Sequence, residues 1–275
     1  MAATAVRHPA VAGRFYPSDP EVLRGEVRTY LTQSPSQKHV RALGCIVPHA
    51  GYIYSGHVAG AVFAQMEIPQ LCLVLCPNHT GIGRPLAIVS VGVWETPLGH
   101  VPIDDAFARA LKQRCVLLQE DSTAHRNEHA TEVELPFLQM LQPKVRFVPI
   151  ALGTRQFEVL EQLGDAIADV IAAQNHDVLI VASSDMNHYE SDAITRVKDQ
   201  RAIKPILNLD AHALYDVVTQ QHISMCGYGP AVAMLTATKK LGATSAELVK
   251  YATSGDISGD RDLVVGYAGL IVPAT

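Results

Sequence analysis

No run of Lys and Arg with interleaved aromatics occurs in the 275 residues, and the net charge of −5 leaves no basic face for a phosphate backbone. Nucleic acid is thereby excluded as a partner. No apolar stretch reaches the roughly 18 residues a bilayer span needs, so no membrane partner is expected either. The opening Met1-Ala2-Ala3-Thr4-Ala5-Val6-Arg7 has no basic start leading into an apolar core, so no signal peptide is expected and the chain reads as cytoplasmic. Five cysteines, at 45, 72, 76, 115 and 226, are odd in number and show no CxxC spacing, which argues against a disulfide framework. Gly81-Ile82-Gly83 lacks the third glycine and the acidic residue of a dinucleotide site. No P-loop and no GxSxG elbow is present. No linker, repeat or low-complexity segment interrupts the chain, so one domain over residues 1–275 is the simplest organisation.

The composition, 48% hydrophobic and 18% charged, suits a globular protein with a sizeable core. Apolar runs of strand length alternate with helical stretches. Leu43–Val47, Leu71–Leu75, Leu86–Val93, Val116–Leu118, Val145–Ala151, Val178–Val181, Glu247–Thr253 and Leu263–Val272 read as strands. Helices are expected from Pro20 to a break at Ser34-Pro35-Ser36-Gln37, over Ser55–Met66, from Asp104-Asp105 to Arg114, over Gln156–Ala173, Ser191–Leu209 and Ala211–Gln220, and from Pro230 to Leu241. Thr131 with Glu134 matches a capping box just ahead of Pro136. Alternation of this kind predicts an α/β fold: one domain, a mixed and mainly parallel central sheet, and flanking helices.

Three of the buried-type strands run straight into a histidine: Pro48-His49, Pro77-Asn78-His79 and Ser183-Ser184-Asp185-Met186-Asn187-His188. Ligands of open α/β sheets bind beyond the carboxyl ends of the strands, so these imidazoles and Asp185 are expected around one site. Imidazole with carboxylate suits Fe, Zn or Cu. His129 with Glu132 supplies a further imidazole and a carboxylate to orient it. Cys226, beside Gly227 and near a helix start, is expected as a thiolate, either ligand or nucleophile; a small buried residue at a tight turn is the plain alternative. Cys45 and Cys72 lie inside strands and should be inert. His39, His100, His125, His176 and His222 read as solvated surface groups, and His57 and His212 as ordinary helical imidazoles. Ser183-Ser184 beside Asp185 and His188 brings a serine hydrolase to mind, but Asp185 and His188 are crowded into one loop, which makes a triad hard to form.

Pro9-Ala10-Val11-Ala12-Gly13-Arg14-Phe15-Tyr16-Pro17, the stretch from Pro48 to Gly56, Pro77-Asn78-His79, the stretch from Glu128 to Phe137, the stretch from Ser183 to Tyr189, and Cys226-Gly227 together resemble the Memo-like family. That family includes protein B of the AmmeMemoRadiSam system. The motifs run in order along nearly the whole chain. The resemblance implies a fold similar to LigB-type class III extradiol dioxygenases, in which two histidines and a glutamate hold non-haem Fe(II). It places His49 and His79 on the metal histidines and Cys226 on the third metal-proximal position, where the dioxygenases carry glutamate. It places His188 on the acid/base histidine, with Asp185 and His129 lining the same cleft. It implies iron or copper as cofactor, with zinc also open, a small-molecule or peptide ligand in the cleft, and AMMECR-type and radical SAM proteins as partners. Two functions stay open: a metal-dependent redox enzyme, and a non-enzymatic module that takes a peptide or partner loop.

Overall fold

A computed structural model describes residues 5–33 and 39–274. Residues 1–4 and the expected break at Ser34-Pro35-Ser36-Gln37 lie outside the described residues. The strands in chain order are β1 (Val6–Arg7), β2 (Ala42–Val47), β3 (Leu71–Pro77), β4 (Leu86–Ile88), β5 (Val93–Thr96) and β6 (Gly99–Pro102). They continue as β7 (Gln119–Glu120), β8 (Arg146–Leu152), β9 (Val178–Ser183), β10 (His188–Glu190), β11 (Glu247–Thr253) and β12 (Val264–Pro273). Nine of these form one mixed sheet in the order β10-β12-β2-β9-β3-β8-β4-β7, with β11 also on β12. Its centre, β2-β9-β3-β8, is parallel. The flanking pairs are antiparallel except β4 with β7. β1, β5 and β6 make a separate small sheet.

The central strands are apolar on both faces because both faces are covered. In β3, Leu71, Leu73 and Leu75 enter one core with the helices Phe157–Ala172 and Tyr228–Lys240. Cys72 and Val74 enter the opposite core with the helices Pro20–Thr32 and Tyr52–Phe63. Cys45 and Cys72 are fully buried there, and burial pushes the Cys72 thiol up to about 12, so neither is a reactive group at neutral pH. The helix Tyr52–Phe63 approaches the first helix at Gly60, where a Cβ would stand 2.6 Å from that of Tyr30. No helix among the described residues is long and apolar enough to cross a membrane.

Several local expectations change. The run Leu86–Val93 splits into β4 and β5, because Gly92 adopts φ +119 and turns the chain into the small sheet. The expected strand Val116–Leu118 is a turn with Val116 exposed, and the pairing falls on β7 instead. Thr131 makes no capping bond, since Glu134 turns inward to Ser183. Pro230 is the third residue of its helix, which begins at Tyr228.

The segment before the first helix, extended and proline-rich, is fastened to the body by Glu132. This carboxylate is fully buried and accepts from Arg7 Nη1 at 2.6 Å, Tyr16 Oη at 2.7 Å and the backbone N–H groups of Ala10 and Val11. Arg7 also stacks over Trp94 and donates to the carbonyls of His125 and Glu128. A buried charge that loses its partner is expensive. Arg7→Ala should therefore cost about 3–5 kcal/mol in denaturant unfolding. A loss below about 1 kcal/mol, the range of an exposed ion pair, would show that Glu132 does not anchor this segment.

Candidate metal centre

His49, His79 and Asp185 arrive from loops at the carboxyl edge of the parallel strands, and His188 opens β10 just beyond Asp185. β2 ends one residue before Pro48-His49, β3 ends two before His79, and β9 ends at Ser183, two before Asp185. The loop before the helix Tyr228–Lys240 brings Cys226, and the loop 127–131 brings His129. They line a cleft of about 590 Å³ that contains His49, His79, His129, Asp185, His188 and Cys226.

Three imidazoles meet there. The ring nitrogens of His49, His79 and His129 include one from each residue that all lie within 4.8 Å of one another, a set able to hold a metal ion. The rings of His79 and His129 stack at 4.7 Å, and His49 meets both edge-on at 5.0 and 5.4 Å. Cys226 stands outside that set, but its Sγ lies 3.2 Å from His49 Nε2. His129, expected from sequence as a lining group, is thus a member of the triad, and Cys226 is its immediate neighbour.

The supporting groups explain which nitrogens are free. His49 is buried; its Nδ1 bonds Ser183 Oγ at 2.8 Å, and Ser183 Oγ donates to the Ala130 carbonyl at 2.7 Å and reaches Glu134 Oε1 at 3.1 Å. His79 is held twice by fully buried Glu128: its backbone N–H donates to Oε2 at 2.6 Å and its Nδ1 pairs with Oε1 at 2.8 Å. Glu128 Oε1 also lies 3.5 Å from His129 Nδ1. The Nδ1 atoms of His49 and His79 being engaged, their Nε2 atoms are left for a metal, as is usual where an outer hydrogen bond fixes the tautomer. Sequence reasoning assigned the orienting carboxylate to Glu132; the structure assigns it to Glu128, because Glu132 is consumed by Arg7 and Tyr16. Phe15, from the proline-rich segment, packs on His129 with ring centres 4.7 Å apart.

Electrostatics divide the histidines. Burial, reinforced by the neighbouring imidazoles, drives His49 well below its ordinary value. Burial lowers His129 too, against the pull of Glu128. Burial would lower His79 as well, but the hydrogen bond and charge of Glu128, with Asp185 behind them, outweigh it and raise its pKa. In the metal-free chain the neutral form is thus favoured at His49 and His129 and the charged form at His79. Burial pushes Asp185 to about 7, although the backbone N–H groups of His49 and Ala50 favour its charge. Burial and the Asp185 charge push the Cys226 thiol well above its ordinary value. This departs from the expected thiolate: the helix start is present, but desolvation is the larger effect.

His188 stands across the cleft, lowered by burial, with Nδ1 donating to the Ser224 carbonyl at 2.9 Å so that Nε2 carries the lone pair. Asn187 fixes this loop to the Cys226 loop, accepting from the N–H and hydroxyl of Ser224, each at 3.1 Å. Tyr189, next in the chain, sits at φ +59, a conformation that costs a bulky residue about 1–3 kcal/mol and is held by this network. Gly227 is required beneath Cys226, since a Cβ there would stand 2.3 Å from the Ser183 carbonyl.

Ser183 and Ser184 are fully buried and both hydroxyls are spent on structure, so neither is placed as a serine-hydrolase nucleophile. His125, expected on the surface, is buried behind Trp94, donates from Nε2 to the Ala87 carbonyl at 3.2 Å, and is driven to about 4 by burial. Glu128, Asn187 and Ser224 were missed as site residues, and Ser183 was read only as a candidate nucleophile. Glu128, Ser183 and Asn187 lie inside the histidine motifs; Ser224 lies in none of them.

Glu128→Gln retains the shape and the bond from the His79 N–H but removes the charge. It should lower metal affinity by about ten- to a hundredfold, with the fold intact by circular dichroism. Unchanged affinity in a competition titration would mean Glu128 does not set the His79 ring.

A family model described as Memo-like protein matches residues 7–271. Among curated proteins, a MEMO1 family protein of Methanopyrus kandleri is 41% identical over 277 residues, covering 96% of this chain and 98% of that one. A MEMO1 family protein of Methanocaldococcus jannaschii is 42% identical over 284 residues, covering 97% and 99%. Among solved structures, an uncharacterised protein from Escherichia coli K12 superposes with a TM-score of 0.49 at 14% identity, over 82% of this chain and 99% of that one, too distant to carry an argument. Matched over nearly its whole length, the chain belongs to the Memo-like protein family.

Proposed function

We propose that this protein is a metal-dependent redox enzyme acting on a small molecule, with iron or copper held by His49, His79 and His129 and flanked by the Cys226 thiol. The observation that carries this reading is the convergence of three imidazoles, each with a ring nitrogen within 4.8 Å of the others, two of which, His49 and His79, have Nδ1 engaged by buried groups. The donor set fits: imidazole suits both metals, and an adjacent sulfur softens the site toward copper. A bound iron or copper ion would supply one-electron chemistry and a place for dioxygen.

The remaining work falls to this chain's own groups. His188, neutral near pH 7 because burial lowers its pKa, presents Nε2 to the cleft and is placed to take a proton from a substrate hydroxyl or thiol. Asp185, near 7, is placed to give or accept one at the same pH. Phe15 and Val265 supply apolar walls that limit water on either side of the imidazoles. Cys226 stands where oxidation of its sulfur would alter the donor set.

Metal binding should depend on pH through His79. Its proton is held above the ordinary histidine range, and a metal must displace it. Affinity should thus rise with pH, by about tenfold per unit while one proton is released, and level off above the His79 pKa. In Glu128→Gln the same plateau should be reached at lower pH. A pH-independent affinity between 5 and 8 would show that His79 is not a ligand.

Anaerobic metal analysis of untagged protein, with His129→Ala and His188→Ala, tests the assignment of roles. His129→Ala should lose at least about tenfold in affinity. His188→Ala should keep full metal content and abolish any turnover found by screening phenolic and thiol compounds with dioxygen. Metal loss in His188→Ala equal to that in His129→Ala would overturn its placement as a proton carrier. Metal bound without turnover by the wild type would leave the non-enzymatic module standing.

A further inference from the structure

A second chamber borders the metal cleft. A cavity of about 900 Å³ shares His79, Ser224 and Cys226 with the cleft and runs beneath the start of the helix Tyr228–Lys240. Among the described residues no Asp or Glu lines it, in a chain whose net charge is −5. Arg155 does line it, and the guanidinium forms no ion pair with any described residue. Arg155 is exposed, and it borders a concave, half-apolar space.

Its position is fixed by the sheet. β3 and β8 are parallel neighbours with Pro77 opposite Leu152, and the Asn78 N–H donates to the Leu152 carbonyl at 2.9 Å. The loop that follows β8, Gly153-Thr154-Arg155, therefore lies beside the loop that carries His79. Tyr215 Oη donates to the Arg155 carbonyl at 3.0 Å and holds the backbone from which the guanidinium projects. Tyr215 and Tyr228, with ring centres 6.1 Å apart, form a wall of the chamber.

We infer that this chamber seats a carboxylate-bearing aromatic molecule, its charge recognised by Arg155, its body lying along Tyr215 and Tyr228, and its reactive end reaching the metal cleft past His79 and Cys226. The inference rests on the reading of the cleft as a metal site that acts on a small molecule. A planar guanidinium matches a carboxylate edge to edge, and one positive charge balances one negative charge. A dianionic phosphoryl group would leave half its charge without a partner, since no second Arg or Lys lines the chamber. The volume suits a molecule of metabolite size, and sites of this kind are largely apolar with a few polar anchors. The first turn of the helix Tyr228–Lys240, with no acidic residue and no side-chain cap, adds its positive end to the same space.

The test uses 3-phenylpropanoate and its neutral isostere 3-phenylpropanamide, titrated calorimetrically into the full chain, metal-free and loaded with redox-silent Zn(II). The wild type should bind the acid at least tenfold more tightly than the amide. Arg155→Gln should lose at least tenfold toward the acid and fall to the level of the amide, and Arg155→Lys should recover part of that loss. Equal binding of acid and amide by the wild type, binding of neither, or acid preference persisting in Arg155→Gln, as expected if zinc alone takes the carboxylate, would each overturn the proposal. Zinc content is measured in the same samples. A wild type that discriminates acid from amide but takes no metal refutes the metal reading and leaves the anion chamber, whereas one that takes metal without discriminating does the reverse.

Discussion

Burial of carboxylate is the constraint on which this cleft depends. Glu128, Glu132 and Glu134 lie on one stretch of chain and are all essentially inaccessible to water. A carboxylate taken out of water must be paired, hydrogen-bonded or neutralised. Each of the three meets that demand differently. Glu132 is answered by Arg7, Tyr16 and two backbone N–H groups, which pull the proline-rich segment onto the body and set Phe15 against His129. Glu128 is answered by His79 and so fixes one imidazole of the triad. Glu134 has only the Ser183 hydroxyl, and burial holds it well above the usual carboxylate range, so it is a neutral acid behind His49. One short segment thus places all three imidazoles.

This explains how much was legible in the sequence. The parallel core strands were legible because their apolar residues are continuous, and strand ends are where α/β sheets keep their sites, so His49 and His79 followed directly. His129 was harder. It follows no strand, and it reaches the triad only because Glu128 and Glu132, its neighbours at one and three residues, are drawn inward by partners far away in the chain. The choice between Glu128 and Glu132 as the orienting group had no local signal at all, since both precede or follow His129 at plausible spacing. What separates them is Arg7, more than a hundred residues earlier. The capping box failed for the same reason: Glu134 had a better-placed partner in Ser183 than in a helix start.

The Cys226 thiol shows a different kind of miss. A helix start favours thiolate, and Gly227 with Tyr228 does begin a helix. But the half-buried thiol is desolvated by the atoms packed round it, with the Asp185 charge close by, and both of these effects raise its pKa. A dipole acts weakly across one turn, whereas desolvation acts on the whole charge. His125 repeats the lesson: its polar neighbours in sequence suggested solvent, yet Trp94 and the small sheet close over it.

The distribution of protons in the metal-free cleft follows from the same accounting of charge. Glu128 is held below the usual carboxylate range; burial opposes this, but the His79 hydrogen bond and charge prevail. The pair is therefore an anion beside a cation, neutral together, in a site that tolerates no uncompensated charge. His49 and His129, without an equally close carboxylate of their own, stay neutral. A divalent ion held by the three ring nitrogens would need the His79 proton to leave, and the site would then carry one unit of positive charge beyond what Glu128 balances. Asp185, which burial pushes to about 7, and Cys226, whose thiol is pushed well above its ordinary value, are the nearest groups able to answer it. A metal would lower both pKa values by the attraction of opposite charge. The burial that keeps Cys226 from being a thiolate in the free chain is thus the reason it would ionise in response to a metal rather than before it.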